Sequence, residues 1–225
     1  MNLKGIVLFL ATTAAFAQGP ITKNVGEVTS VKSFDKISVQ LIKSNENKVV
    51  LSGNESEYVE LVNKNGELKV KMPLKKTLKG QDVVAKVYYT GKITEVNASE
   101  YSYISSEDVM ESLDFTAAAK EGANVKLKVN TKKLDVKVTS GAEISIDGQT
   151  KNQSILVNSG GKYKAKNLKS DQCSVTVNAG GEAEVSAEDI VNAKVRAGGV
   201  IDVYGNPKLL NEEKVVGGTI NQHKS

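Results

Sequence analysis

"SVTVNAGGEAEV", residues 174–185, places two adjacent glycines between runs in which valine or alanine alternates with polar residues. Nearly the same arrangement returns in "ILVNSGGKYKA" (155–165) and "NAKVRAGGVIDV" (192–203). A glycine-rich turn after a strand has two physical readings. It cradles a phosphate when it opens a helix, or it is the corner of a repeated coil. Each of these glycine pairs is followed by another alternating run and never by a helical pattern. The phosphate reading therefore lacks its required context, and the glycines are read as corners.

The spacing supports that choice. Gly122, Gly141, Gly160, Gly180 and Gly198 stand 19, 19, 20 and 18 residues apart, the self-similarity of a solenoid. Seven, five and three residues before each glycine, and three and five after it, 24 of the 25 positions are apolar, Gln153 being the exception. The positions six and four before and four after hold two apolar residues in 15, Ala118 and Leu156. Alternation of that quality means strands with one buried face. Each repeat then reads as strand, glycine corner and strand, with a third side such as "DGQTKN" (147–152) that is short and poorly patterned. Coils stacked about 4.8 Å apart would pair in parallel around a column of Val, Ile and Ala. The expected fold is all-β, a single-stranded parallel β-helix with coils of about 19 residues.

The ends are less regular. Residues 1–17, "MNLKGIVLFLATTAAFA", read as a secretory signal, with Lys4, an apolar run from Ile6 to Leu10, and Ala15-Phe16-Ala17 before the cut. The apolar run is too short to span a bilayer, and no later one is longer. The expected location is exported: periplasm, outer-membrane surface or extracellular. Residues 18–225 read as a single domain, with an N-terminal β-rich cap at 18–90, coils at 91–205 and a C-terminal cap at 206–225. The cap covers strand edges that would otherwise invite aggregation. Within it, Asn54 and Glu57 suggest a capping box, and Tyr58, Leu61 and Val62 have the spacing of one short helix. The alternation in "KITEVNASEYSYISSEDV" (92–109) leaves its register open.

Chemistry-bearing residues are sparse. His223 is the only histidine, which excludes an HExxH site and a histidine-built metal cluster and leaves a Ser-His-Asp triad no histidine but this one. It reads as an exposed terminal residue without a role. Cys173 is the only cysteine, so no intramolecular disulfide forms. The formal net charge of +4 is spread as single lysines among acids and polar residues, without the basic stripe of a nucleic-acid binder. Glu107, Asp108, Glu111 and Asp114 form one acidic group and Glu188-Asp189 another, neither with calcium-loop spacing. No cofactor is expected; calcium is the one ion these acids leave open. Polysaccharide lyases on β-helices use such acids with a basic residue, yet Arg196 is the only arginine here. Asn158 and Asn178 occupy equivalent positions and would stack as an asparagine ladder. Tyr88, Tyr89, Tyr101 and Tyr103 gather on the least regular part of the chain, for core or cap packing or, facing outward, for stacking on sugar rings.

The leader, the opening strand "SFDKISVQ" (33–40) and repeats such as "LDVKVTSGAEISIDG" (134–148) and "VTVNAGGEAEV" (175–185) together resemble the putative auto-transporter adhesin, head GIN domain family. The resemblance spans roughly residues 27–210. It implies a right-handed parallel β-helix exported by bacteria with an outer membrane, and no catalytic motif. Lys120-Glu121, where later coils have Asn-Ser or Asn-Ala, departs from the repeat and suggests that this coil bends differently.

The functional expectation is an exported, non-enzymatic β-helix presenting an extended binding face. Its candidate residues, four after each corner glycine, are Lys126, Ser145, Lys164, Glu184 and Asp202. Such a row would match a polysaccharide or other repeating cell-surface polymer. The alternatives are a lyase-like enzyme using 107–114 and a purely structural envelope component.

Overall fold

A computed structural model describes residues 19–224; the expected signal at 1–17 lies outside them. Among the described residues the chain is almost entirely strand. The first part holds β1 (Ile21–Asn24), β2 (Ser30–Ser33), β3 (Ser38–Lys43), β4 (Lys48–Ser52), β5 (Glu60–Lys64), β6 (Glu67–Lys71), β7 (Val84–Tyr89) and β8 (Glu95–Ala98). Three long strands follow, β9 (Tyr103–Ala119), β10 (Asn124–Val138) and β11 (Glu143–Val157). The rest is β12 (Lys162–Lys164), β13 (Leu168–Asn178), β14 (Glu182–Ser186), β15 (Ile190–Arg196), β16 (Val200–Tyr204), β17 (Leu209–Val215) and β18 (Thr219–Gln222).

Parallel pairing builds a β-solenoid of about seven turns. Before the corner, β6, β2, β8 and the second half of β9 stack in that order, then β10, β11, β13, β15 and β17. After the corner the stack is β7, β3, the first half of β9, then β10, β11, β12, β14, β16 and β18. Chain order and spatial order therefore part at the N-terminal end, where the coil of β2 and β3 lies between β6–β7 and β8–β9. Antiparallel strands cover that end: β5 on β6, β4 on β7 and β1 on β4.

All 25 residues of the five predicted inward columns are buried. Removing a Val, Leu or Ile side chain from water contributes roughly 1.5–3 kcal/mol, and the columns repeat that gain coil after coil. Gln153 is 3% exposed and satisfied within the core. Its amide donates to Ser170 Oγ (2.9 Å) and the Ser186 carbonyl (3.0 Å), and its carbonyl accepts from Tyr163 OH (3.2 Å). One polar layer thus sits inside the apolar column at no unpaired cost.

The corners explain the paired glycines. Among the described residues eight corners carry two consecutive left-handed residues, from Asp35-Lys36 and Glu100-Tyr101 through Glu121-Gly122 to Val216-Gly217. Their amides bond to the next corner, as Gly122 N to Ser140 O (3.1 Å) and Gly141 N to Ser159 O (3.1 Å). The first glycine of a pair supplies this positive φ at low cost: Gly180 has φ 73° and open space around it. The second has a different duty, because it points inward. A Cβ on Gly181 would sit 2.7 Å from Val157 Cγ1, so no larger residue fits without movement. The Lys120-Glu121 departure does not change the bend: Glu121 has φ 55° and Gly122 φ 70°, like the later corners.

Two further expectations are corrected. The short helix is a three-residue 3-10 turn, Ser56–Tyr58, with Glu55 at its N-cap and no side-chain cap bond. Leu61 and Val62 fall in β5, where pairing with β6 overrides the helical spacing. The third side is also strand: β10 and β11 run straight through it, paired at Thr131↔Thr150. It looks unpatterned because a second bend exposes two consecutive residues, Lys132-Lys133, Lys151-Asn152 and Asp171-Gln172, and so shifts the phase of the alternation. The open register at 92–109 has a related cause. Ser105 pairs Lys126 but Val109 pairs Lys128, so a bulge adds residues to that coil.

Candidate functional site

The five candidate residues form one row, in register from coil to coil. Lys126 pairs Ser145, Ser145 pairs Lys164, Lys164 pairs Glu184 and Glu184 pairs Asp202. All point outward and are exposed or half-buried. The row is longer than the glycine repeat indicates. Asn221 extends it beyond Asp202, and Ser105, Gln40 and Lys86 extend it before Lys126. Those N-terminal members were hidden because β2–β3 and β8–β9 are 65 residues apart in sequence yet adjacent in space. The signal available was the likeness of "FDKISVQ" (34–40) to "SEYSYIS" (99–105).

Charge on this face is mixed and locally paired. Lys164 Nζ lies 2.8 Å from Glu143 and Lys162 Nζ lies 3.0 Å from Glu182. The Glu143 carboxylate, hydrogen-bonded to Lys164, holds that ammonium above the usual lysine range. Asn221 donates to Asp202 Oδ1 (3.0 Å). His223 has partners after all. Its ring stacks on Tyr204 with centroids 4.5 Å apart, and its Nε2 is 2.7 Å from Asp202 Oδ1. The face is a polar lattice of alternating donors and acceptors, fixed at strand spacing by the backbone beneath.

The second bend forms a separate groove of about 550 Å³. Its floor is a column of hydroxyls, Ser112, Thr131, Thr150 and Ser170, and Thr131 donates to Thr150 (2.9 Å). Lys132, Lys151 and Lys169 line it from three successive coils, with Asp171 in the same coil as Lys169 and Glu188 beyond. Amide ladders run beside these surfaces. Asn178 donates to Asn158 (2.6 Å), as the spacing indicated, and Asn211 to Asn192 (2.8 Å).

The other sequence candidates disperse. Asp108 accepts the Lys43 amide (2.7 Å), while Glu111 and Asp114 lie along β9 opposite Asn130 and Lys133. Asp189 pairs with Lys208 (2.6 Å). Among the described residues no three His, Cys, Asp or Glu side chains gather as metal ligands. The tyrosines divide too. Tyr89 is buried, its hydroxyl pushed up to about 12 by burial with Asp108 nearby. Lys48 lies over the Tyr88 ring, 5.2 to 5.4 Å being the cation–ring range here for Lys43 and Lys48. Tyr101 is 63% exposed at a corner. No described helix is long and apolar enough to cross a membrane.

Similar folds occur in solved bacterial proteins. A "putative adhesin" from Bacteroides fragilis NCTC 9343 superposes with TM-score 0.83 at 16% identity, covering 92% of this chain and 98% of that one. A "putative adhesin" from Parabacteroides merdae ATCC 43184 gives 0.75 at 16% identity, with coverage of 92% and 96%. A "putative lipid binding protein" from Parabacteroides distasonis ATCC 8503 gives 0.70 at 18% identity, with coverage of 91% and 97%. At these identities the likeness is one of fold. No curated protein sequence matches the chain. A family model does, over residues 27–207, which include the whole solenoid up to Pro207. The chain belongs to the family described as putative auto-transporter adhesin, head GIN domain.

Proposed function

We propose that this protein is an exported, non-enzymatic, adhesin-like β-solenoid that binds a repeating polymer at a cell surface. Its contact residues in this reading are Lys126, Ser145, Lys164, Glu184 and Asp202. The observation that carries it is the unbroken in-register row of polar side chains on a rigid face. A ligand with its own regular repeat can meet such a row many times without either partner losing much conformational freedom. Membership of an adhesin-named family supports the same reading, as does the dispersal of the acidic residues that a lyase would need together.

The test is binding of the purified chain from Gln18 onward to a glycan array and to surface extracts. Binding weakened by Lys126→Glu and Lys164→Glu supports the reading, and signal at background in every sample overturns it. Protease treatment of intact and of permeabilised cells tests the location. Cleavage in intact cells supports surface exposure. Protection until the outer membrane is opened would replace adhesion with a role inside the envelope.

A further inference from the structure

Glycine occupies the second corner position in six of the eight left-handed corners, from Gly122 to Gly217. The two exceptions, Lys36 (φ 65°) and Tyr101 (φ 59°), belong to neighbouring coils, joined by Lys36 N to Glu100 O (2.9 Å). Beside them the outermost coil replaces its corner with the long segment 73–83, where Leu78 is also left-handed (φ 61°). Lys36, Leu78 and Tyr101, with Gln81, line one open concavity of about 520 Å³. A large side chain in this backbone region is strained. The same column uses glycine elsewhere, so side chains are kept here against the local preference.

Their surroundings identify what they meet. Leu74, four residues before Leu78, is 95% exposed, and Lys75 and Lys79 are exposed beside it. Of the lysines at 36, 75, 76 and 79, among the described residues only Lys76 is ion-paired, to Glu55. The acids nearby divide between internal and exposed positions. Asp35 accepts the amides of Met72 and Leu78, both at 2.9 Å. Burial, with Asp35 close by, raises the pKa of Glu100. Asp82 and Glu57 remain as exposed acids of this edge, and Glu121, exposed at the next corner, pairs with Lys120 (3.2 Å). The result is an edge with two exposed leucines, an exposed tyrosine and, beside those acids, three lysines without an ion-pair partner among the described residues.

We propose that this edge docks the protein on an anionic lipid bilayer. Leu74, Leu78 and Tyr101 enter the interfacial zone, and Lys36, Lys75 and Lys79 meet the headgroups. Apolar side chains on a basic surface bind a bilayer through buried area together with attraction to anionic lipids. Tyrosine suits the boundary because its ring is apolar and its hydroxyl stays wet. This assignment stands apart from the outward row and does not depend on it.

The experiment is co-sedimentation of the chain from Gln18 onward, which contains every described strand. The vesicles are phosphatidylcholine, with and without phosphatidylglycerol. Bound protein should rise with phosphatidylglycerol and fall with added salt. Lys75→Gln should weaken partitioning about fivefold and Leu74→Ser about tenfold. Lys126→Gln on the row should leave it unchanged. Tyr101→Gly separates binding from folding. It restores the residue used in six other corners, so the thermal midpoint should hold or rise while vesicle binding falls. A lowered midpoint with unchanged vesicle binding would make Tyr101 a packing residue against Gly122 and overturn the proposal. So would equal binding to neutral vesicles, or no sedimentation with either. Capture of a soluble glycan lost in Leu74→Ser, without vesicle binding, would make the edge a sugar platform and overturn it as well.

Discussion

The two ends of the solenoid solve the same problem by different physics. A stack of coils exposes at each end a cross-section of its apolar column and a set of unpaired strand edges. At the N-terminal end the chain doubles back, and β1, β4 and β5 cover the last coil with antiparallel strands. At the C-terminal end nothing described covers the last coil, and the column itself turns polar. Glu212, Lys214 and Gln222 pair with Ala193, Val195 and Val203, which are buried core residues. They stand in columns that are apolar in every earlier coil from 115 onward. Glu212 and Lys214 pair with each other at 3.2 Å. Inward-pointing charges of this kind block edge-to-edge growth. A cover costs extra chain but leaves surface for other uses, whereas a polar last layer needs only three substitutions in a repeat.

The largest effect should come from breaking what both ends protect. Val177→Asp puts a carboxylate at a fully buried position of the central column, and should cost about 3 kcal/mol or more in urea unfolding. A loss within experimental error would mean that the inward column is misassigned. Asp35→Ala tests the N-terminal end. It leaves the Met72 and Leu78 amides without their acceptor, and should cost about 2 kcal/mol, with faster amide exchange confined to 72–83. Uniform exchange across the coils would instead tie that segment to the global fold.

The C-terminal end is tested by the triple change Glu212→Val, Lys214→Val and Gln222→Val. Folding stability should move by less than about 1 kcal/mol, because these side chains are surface residues of the last coil. Sedimentation velocity should show new self-association; a strictly unchanged species would remove the capping role from these charges. Cys173 gives an internal reference. Burial pushes its thiol far up, so it forms little of the reactive thiolate. A thiol reagent should label it only through opening of the coil, and Val177→Asp should speed that labelling. Fast labelling of the folded wild-type protein would contradict its burial. The smallest effect belongs to the outward row. Lys164→Gln removes an exposed pair with Glu143 and should stay within about 0.5 kcal/mol, even where it lowers ligand binding.

Alternation and the recurring glycine made the coils from 115 to 203 legible, because period-2 burial and a left-handed corner each leave a mark in every repeat. The row at Lys126 through Asp202 followed directly, since a fixed offset from a corner in successive coils is a fixed place on one face. Local sequence could not show that β2 and β3 intercalate between β6–β7 and β8–β9, because that order is chosen by pairing between segments far apart in the chain. Nor could it show that Tyr101 is a corner residue. A bulge at 106–108 lengthens its coil, and the glycine that marks six of the corners is absent there, as it is at Lys36. The second glycine of each pair, the polar layer around Gln153 and the stacking of His223 on Tyr204 share a cause. Each depends on which atoms the neighbouring coil brings within contact distance, and that is set only when the coils are stacked.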